Sequence, residues 1–164
     1  MKTLIEFDYK KAVQTINFFA TKEGGQIDKL KLIKLIWLAD RYHLRKYGRP
    51  IINDTYFAMK YGPVGSSIKD FAEFNVFLSE TERKYLETYL AASKKDTNFV
   101  GTVKGVDDGV FSDSDIEALE VIYKEYGGCR TSQLVNISHE FPEWRKFEKV
   151  LETGDSTREV MTYE

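Results

Sequence analysis

The stretch Asp28-Lys29-Leu30-Lys31-Leu32-Ile33-Lys34-Leu35-Ile36-Trp37-Leu38-Ala39-Asp40-Arg41-Tyr42-His43-Leu44-Arg45-Lys46 decides the fold. Asp28 is a residue type that caps a helix N-terminus, and Leu30, Leu32, Ile33, Leu35, Ile36, Trp37, Ala39 and Tyr42 cover well over half of the helical circumference. A helix that is apolar on so many sides sits centrally in a core, and Gly48 and Pro50 close it. On the N-terminal side, Asp8 caps a first helix with Val13, Ile16, Phe19 and Ala20 at helical spacing, ended by Gly24-Gly25. On the C-terminal side, Thr55-Tyr56-Phe57-Ala58-Met59 reads as a short strand between Asn53-Asp54 and Gly62-Pro63.

A helix over about 65–73 follows, and Ser79 with Glu82 forms a capping-box pattern opening another that ends near Ser93, with Tyr85, Leu86, Tyr89 and Leu90 inward. Residues 98–111 supply one strand or a hairpin able to pair with 55–59. Phe111, Ser112, Asp115 and Ile116 combine a capping box with a hydrophobic staple, starting a helix that Gly127-Gly128 terminates. Short helices over 132–138 and about 143–151 complete the ordered part. The expectation is a single α+β domain over residues 1–152, predominantly α-helical, with a small two- or three-stranded antiparallel sheet from 55–59 and 98–111. Residues 153–164 read as a polar C-terminal tail.

The chain of 164 residues is long enough to bury one core, and a formal net charge of -2 gives no global reason to bind nucleic acid or an anionic membrane. The charge is nevertheless polar along the chain: +6 over residues 1–50, neutral over 51–106, and -8 over 107–164. Two consequences are open: mutual neutralisation on folding, or a basic surface that meets an acidic partner. The single Cys129 excludes an internal disulfide and fits a reducing compartment, so the cytoplasm is the expected location. Glu6 and Asp8 interrupt any signal-peptide core, and the densest apolar run, Leu35–Ala39, falls far short of the ~20 residues of a membrane span.

No catalytic cluster is visible. His43 and His139 lie far apart in sequence, Asp40 and His43 alone do not make a metal site, and Cys129 has no obvious base beside it. Tyr61-Gly62-Pro63-Val64-Gly65-Ser66-Ser67 has glycines before a helix but lacks the phosphate-loop lysine and the dinucleotide spacing. No enzyme activity, cofactor or metal is therefore expected. The segment 112–139 has a helix-turn-helix-like layout with Ser132, Gln133 and Asn136 available to read bases, but it lies within the acidic part of the chain, so nucleic acid is not the expected partner. Lys31, Lys34, Leu38, Arg41 and Arg45 share one stripe of the second helix, either a solvated face or, with Arg49 beyond it, an edge that pairs with a partner's carboxylates.

The order Ile36-Trp37-Leu38-Ala39-Asp40, His43-Leu44, Tyr47-Gly48-Arg49-Pro50-Ile51, Asp54-Thr55-Tyr56 and Ala58-Met59-Lys60-Tyr61-Gly62-Pro63-Val64 resembles the hallmark block of the Panacea domain. A second block, Phe111-Ser112-Asp113-Ser114-Asp115 with Ser138-His139-Glu140-Phe141-Pro142-Glu143-Trp144, is similar to that family's later hallmark, with Phe111 where Leu is usual. The resemblance spans about residues 8–150. It implies a bacterial or phage-encoded type II antitoxin that binds and neutralises a protein toxin encoded beside it. Some relatives, of the SocA type, are adaptors that deliver the toxin to an ATP-dependent protease of the ClpXP kind. On this reading the toxin-binding candidates are Lys31, Lys34, Leu38, Arg41, His43, Arg45, Arg49 and Tyr61. A DNA-binding regulator using the 112–139 unit is the alternative.

Overall fold

A computed structural model describes residues 6–162. The sequence-based domain and tail each extend slightly past this range, so 1–5 and 163–164 lie outside the described residues. The fold is α+β and mainly helical, as the sequence predicts, with two three-stranded antiparallel sheets in place of one.

Helix α1 (Tyr9–Lys22) starts where the Asp8 carboxylate accepts the Lys11 backbone N–H at 3.0 Å. Helix α2 (Lys29–Tyr47) is capped likewise by Asp28 and ends at Gly48, whose φ of 80° is left-handed. Leu32, Leu35, Ile36, Trp37 and Ala39 are buried, so α2 forms the central rod of the core. Helix α3 (Ser66–Ala72) and helix α4 (Glu80–Tyr89) follow, the latter with both halves of the Ser79/Glu82 capping box in place. Helix α5 (Asp113–Tyr126), opened by the Ser112/Asp115 box, packs along α2. Helices α6 (Thr131–Ser138), α7 (Pro142–Arg145) and α8 (Glu148–Glu152) complete the helical set, so the single helix expected over 143–151 is two short ones.

The strand pairing corrects the expected sheet. Strands β1 (Gln26–Asp28), β4 (Leu90–Ala92) and β5 (Phe99–Thr102) form one sheet in the order β1-β5-β4. Strands β2 (Tyr56–Met59), β3 (Gly62–Gly65) and β6 (Glu159–Val160) form the other, in the order β3-β2-β6. Residues 55–59 and 98–111 therefore never pair. Each of the two regions forms a hairpin with its neighbour in sequence: β2 turns into β3 through Lys60-Tyr61 with Met59 opposite Gly62, and β4 into β5 with Ala92 opposite Val100, while β1 and β6 add from a distance as the third strands. Short loops carry the smaller closure entropy. The α4 helix accordingly ends at Tyr89, before Ser93, because Leu90–Ala92 is taken by the ladder.

The stretch read as a polar tail contributes β6, whose Glu159 lies opposite Ala58 and whose Val160 lies opposite Phe57. Beyond it the Met161 N–H donates to the Tyr56 carbonyl at 2.9 Å and the Met161 side chain is buried. Alternation within β2, with Tyr56 and Ala58 inward, leaves Phe57 to lie under the Arg158 guanidinium at 4.7 Å.

Candidate functional site

The cationic stripe of α2 does not form one solvated face. Lys34 is fully buried, and its Nζ donates to the Pro63 carbonyl at 2.7 Å. Burial without a counter-charge lowers its pKa to about 7. Lys31 is largely covered, ion-paired to Glu23 and donating to the Gly127 carbonyl at 2.8 Å. Arg41 pairs with the buried Glu143 at 2.6 Å and lies 4.4 Å over the Phe141 ring. Leu38 is buried, and Arg45 is exposed. Leu38, Arg41 and Arg45 still meet on one groove of about 390 Å³, whose far wall is Ile122, Glu125 and Tyr126 of α5.

One more of the expected contact residues is inside. His43 is buried, and its Nδ1 lies 2.5 Å from the Arg49 carbonyl. A carbonyl only accepts, so Nδ1 carries a proton, and Nε2 lies 2.9 Å from the Ser114 hydroxyl. A serine hydroxyl on a histidine is the start of a nucleophile–base pair. Here the ring is sealed, and the nearby carboxylate, Asp115 at 3.4 Å, faces the same Nε2 as the serine and not the far nitrogen that an orienting acid would hold.

Asp115 is the centre of this cluster. Its carboxylate receives Lys11 Nζ from α1 at 2.7 Å, Arg49 Nη1 at 3.1 Å and the Ser112 backbone N–H at 2.9 Å. Burial pushes the carboxyl up, but the Lys11 and Ser112 hydrogen bonds and the Lys11 and Arg49 charges outweigh it and hold the pKa below the ordinary value. Arg49 also donates to the Ser112 hydroxyl at 3.0 Å, so its guanidinium ties the loop after α2 to the cap of α5. The sequence marks Asp115 as a capping-box partner. That it also binds α1 and the loop after α2 has no local signal, because those partners lie 104 and 66 residues away in the chain.

Two other buried acids hold the loops of the first hallmark block. Asp40 accepts the N–H groups of Ile51 and Ile52, at 2.8 and 3.1 Å, and the Tyr56 hydroxyl at 2.7 Å. Desolvation dominates these bonds and raises its pKa to about 6. Asp54 accepts from Thr55, Ser67 and Ile68, at 2.8, 3.0 and 2.9 Å, capping α3 from outside the helix. Gly62, at φ 108°, lies so close to Ser138 and Lys34 that a Cβ would meet the Ser138 hydroxyl at 2.3 Å. Trp144 donates its indole N–H to the Met59 carbonyl at 2.8 Å, and His139 stacks on Trp144 at 3.8 Å between ring centres. Burial, and then the Lys34 charge, lower the His139 pKa.

What remains outward around the β2–β3 turn is Tyr61, 57% exposed. It forms a ridge with Lys60 between two grooves of about 650 and 680 Å³. One groove continues to Leu30, Ile33 and Val64, the other to Val135, His139 and Trp144. Among the described residues no group of three or more His, Cys, Asp or Glu side chains is placed to hold a metal ion, and no helix is long and apolar enough to cross a membrane. In the 112–139 unit, Ser132, Gln133 and Asn136 are exposed on α6 while Asp115 is consumed by the core.

No curated protein and no solved structure matches this chain. A family profile does: the one described as antitoxin SocA-like, Panacea domain, matches residues 32–145, from Leu32, the first buried residue of α2, to the end of α7. The matched span includes Asp40, His43, Arg49, Asp54, Asp115 and Trp144, the side chains that tie its loops to its helices. The chain belongs to the SocA-like Panacea antitoxin family.

Proposed function

We propose that this protein is the antitoxin of a bacterial or phage type II toxin–antitoxin pair and neutralises a cognate protein toxin by direct binding in the cytoplasm, without a catalytic group of its own. The observation that carries this reading is the family match across well over half of the chain. It is supported by the way the polar residues are spent: His43, Asp40, Asp54 and Asp115 hold loops and caps, so what the molecule offers a partner is a rigid surface. Of the residues expected to touch the toxin, Arg45 and Tyr61 are outward, Lys31, Arg41 and Arg49 are partly outward, and Lys34, Leu38 and His43 act from beneath by shaping that surface. Steric occlusion of the toxin and its delivery to a ClpXP-type protease both use such a surface.

The test is co-expression with the reading frame adjacent to its own. Restored growth together with a stable co-purified complex is the expected result. Restored growth with protease-dependent loss of the toxin establishes the adaptor route, and a neighbour that stays toxic beside folded protein defeats the antitoxin assignment for that pair.

A further inference from the structure

The connection between α3 and α4 is built rigidly around Asn75. Its backbone N–H donates to the Asp70 carbonyl at 2.9 Å and its side-chain amide to the Asp70 carboxylate at 3.2 Å. Its carbonyl receives Leu78 N–H at 3.2 Å and the Arg83 guanidinium at 2.8 Å, and its side-chain oxygen receives Phe77 N–H at 2.9 Å. On either side Phe74 and Leu78 pack against the core, Phe74 at a left-handed φ of 52°. Between these anchors the loop projects Val76, 80% exposed, and Phe77, 92% exposed. The bonds around Asn75 thus hold outward two side chains whose burial would favour folding.

Acidic side chains dominate the loop itself, while the cations Lys69, Arg83 and Lys84 lie at its two ends. From residue 70 to residue 82 the chain has Asp70, Glu73, Glu80 and Glu82 and no Lys, Arg or His. Glu80 is ion-paired with Lys84 at 3.1 Å; among the described residues the other three have no cation within ion-pair distance. At the foot of Phe77 a groove of about 200 Å³ has Asp70 and Glu82 on its walls, of a size and charge to take a lysine or arginine side chain. A preformed aromatic anchor inside an acidic rim is the arrangement of an interface centre, where a few buried apolar residues supply affinity and the surrounding charges supply orientation.

We infer that Val76 and Phe77 are the knob by which this protein docks on its toxin, entering an apolar pocket rimmed by lysine and arginine. This rests on the antitoxin reading. The probe is the purified product of the adjacent reading frame, titrated calorimetrically against the full chain and against Phe77→Ala, Phe77→Leu, Val76→Ser/Phe77→Ser and Glu73→Lys, with thermal melts confirming that each variant is folded. Phe77→Ala is expected to weaken binding by about 30-fold and the double variant by more, while Phe77→Leu retains most of the affinity. Glu73→Lys is expected to weaken binding and flatten its salt dependence.

Wild-type binding that the double variant matches within about threefold overturns the knob while leaving the antitoxin reading intact. No binding by the wild type removes both. Sedimentation of the chain alone covers a second copy as occupant: a dimer that Phe77→Ala converts to a monomer assigns the knob to self-association and overturns the proposal.

Discussion

The Lys34 amine and the Pro63 carbonyl meet at 2.7 Å, both in buried residues, and this bond pins the N-terminal half of α2 to strand β3. With its pKa lowered from 10.5 to about 7, the native amine is neutral over a range in which the unfolded chain still binds its proton. Stability contributed by Lys34 therefore rises with pH across that window and is at its least below it, where both states are charged. Lys34→Met is expected to be most stabilising, relative to wild type, near neutral pH and below. Its advantage should shrink by up to about 1.4 kcal/mol per pH unit above neutrality. Urea denaturation from pH 6.5 to 10 checks this, and parallel curves for the two proteins would refute it.

Asp40 and Asp115 titrate with opposite signs. The Asp40 pKa is raised from 3.8 to about 6, so its contribution is fully present below the lower value and is lost as pH rises through the higher one. Asp115 is lowered, so its contribution is present at neutral pH and is lost as pH falls through its native pKa, below the ordinary carboxylate value. Asp115→Asn is expected to cost about 3 kcal/mol at pH 7 by leaving Lys11 and Arg49 without their buried partner. Asp40→Asn is expected to remove the stability decline between pH 4 and 6 that wild type shows. Chemical denaturation of the three proteins at pH 3, 5 and 7 separates the two effects.

Gly62 and Gly48 both have positive φ, at 108° and 80°, but an added Cβ meets Ser138 at 2.3 Å in the first case and open space in the second. Gly48→Ala is expected to cost about 1 kcal/mol, the backbone strain alone, and Gly62→Ala more than twice that. Ser138→Ala in the Gly62→Ala background should recover most of the steric part and leave the strain and the 3.3 Å approach to Lys34. Equal melting temperatures for the two single alanine variants would contradict the close approach.

Charge reversal along α2 separates surface from scaffold. Arg45 is exposed, so Arg45→Glu is expected to change stability by no more than about 0.5 kcal/mol, and any loss of toxin binding then reports contact. Arg41→Glu sets a carboxylate against the buried Glu143 and removes the cation over Phe141, so it should destabilise by about 2 kcal/mol or more whatever the partner does. Calorimetric melts of both variants, run before any binding assay, show which readouts are interpretable.

The helix starts were legible in the chain because a cap is a local device. Asp8, Asp28, Ser79 and Ser112 each bond a backbone N–H three residues on, and all four do so in the fold. The family blocks were legible too, as was the mainly helical α+β class. The partners of Lys34, His43, Arg49 and Glu143 were not, since the periodicity that places a cation on a helix stripe does not say which segment covers that stripe.

For the same reason the β2 strand could be read from its residues while its partners, β3 and β6, could not, β6 arriving from a stretch with an ordinary polar composition. Caps, turns and apolar periods act over a few residues and are written where they act. Strand partners, buried ion pairs and the exposure of Phe77 depend on which distant segments come together, and that was settled only when α2 was enclosed by α1, α5, α6 and β3.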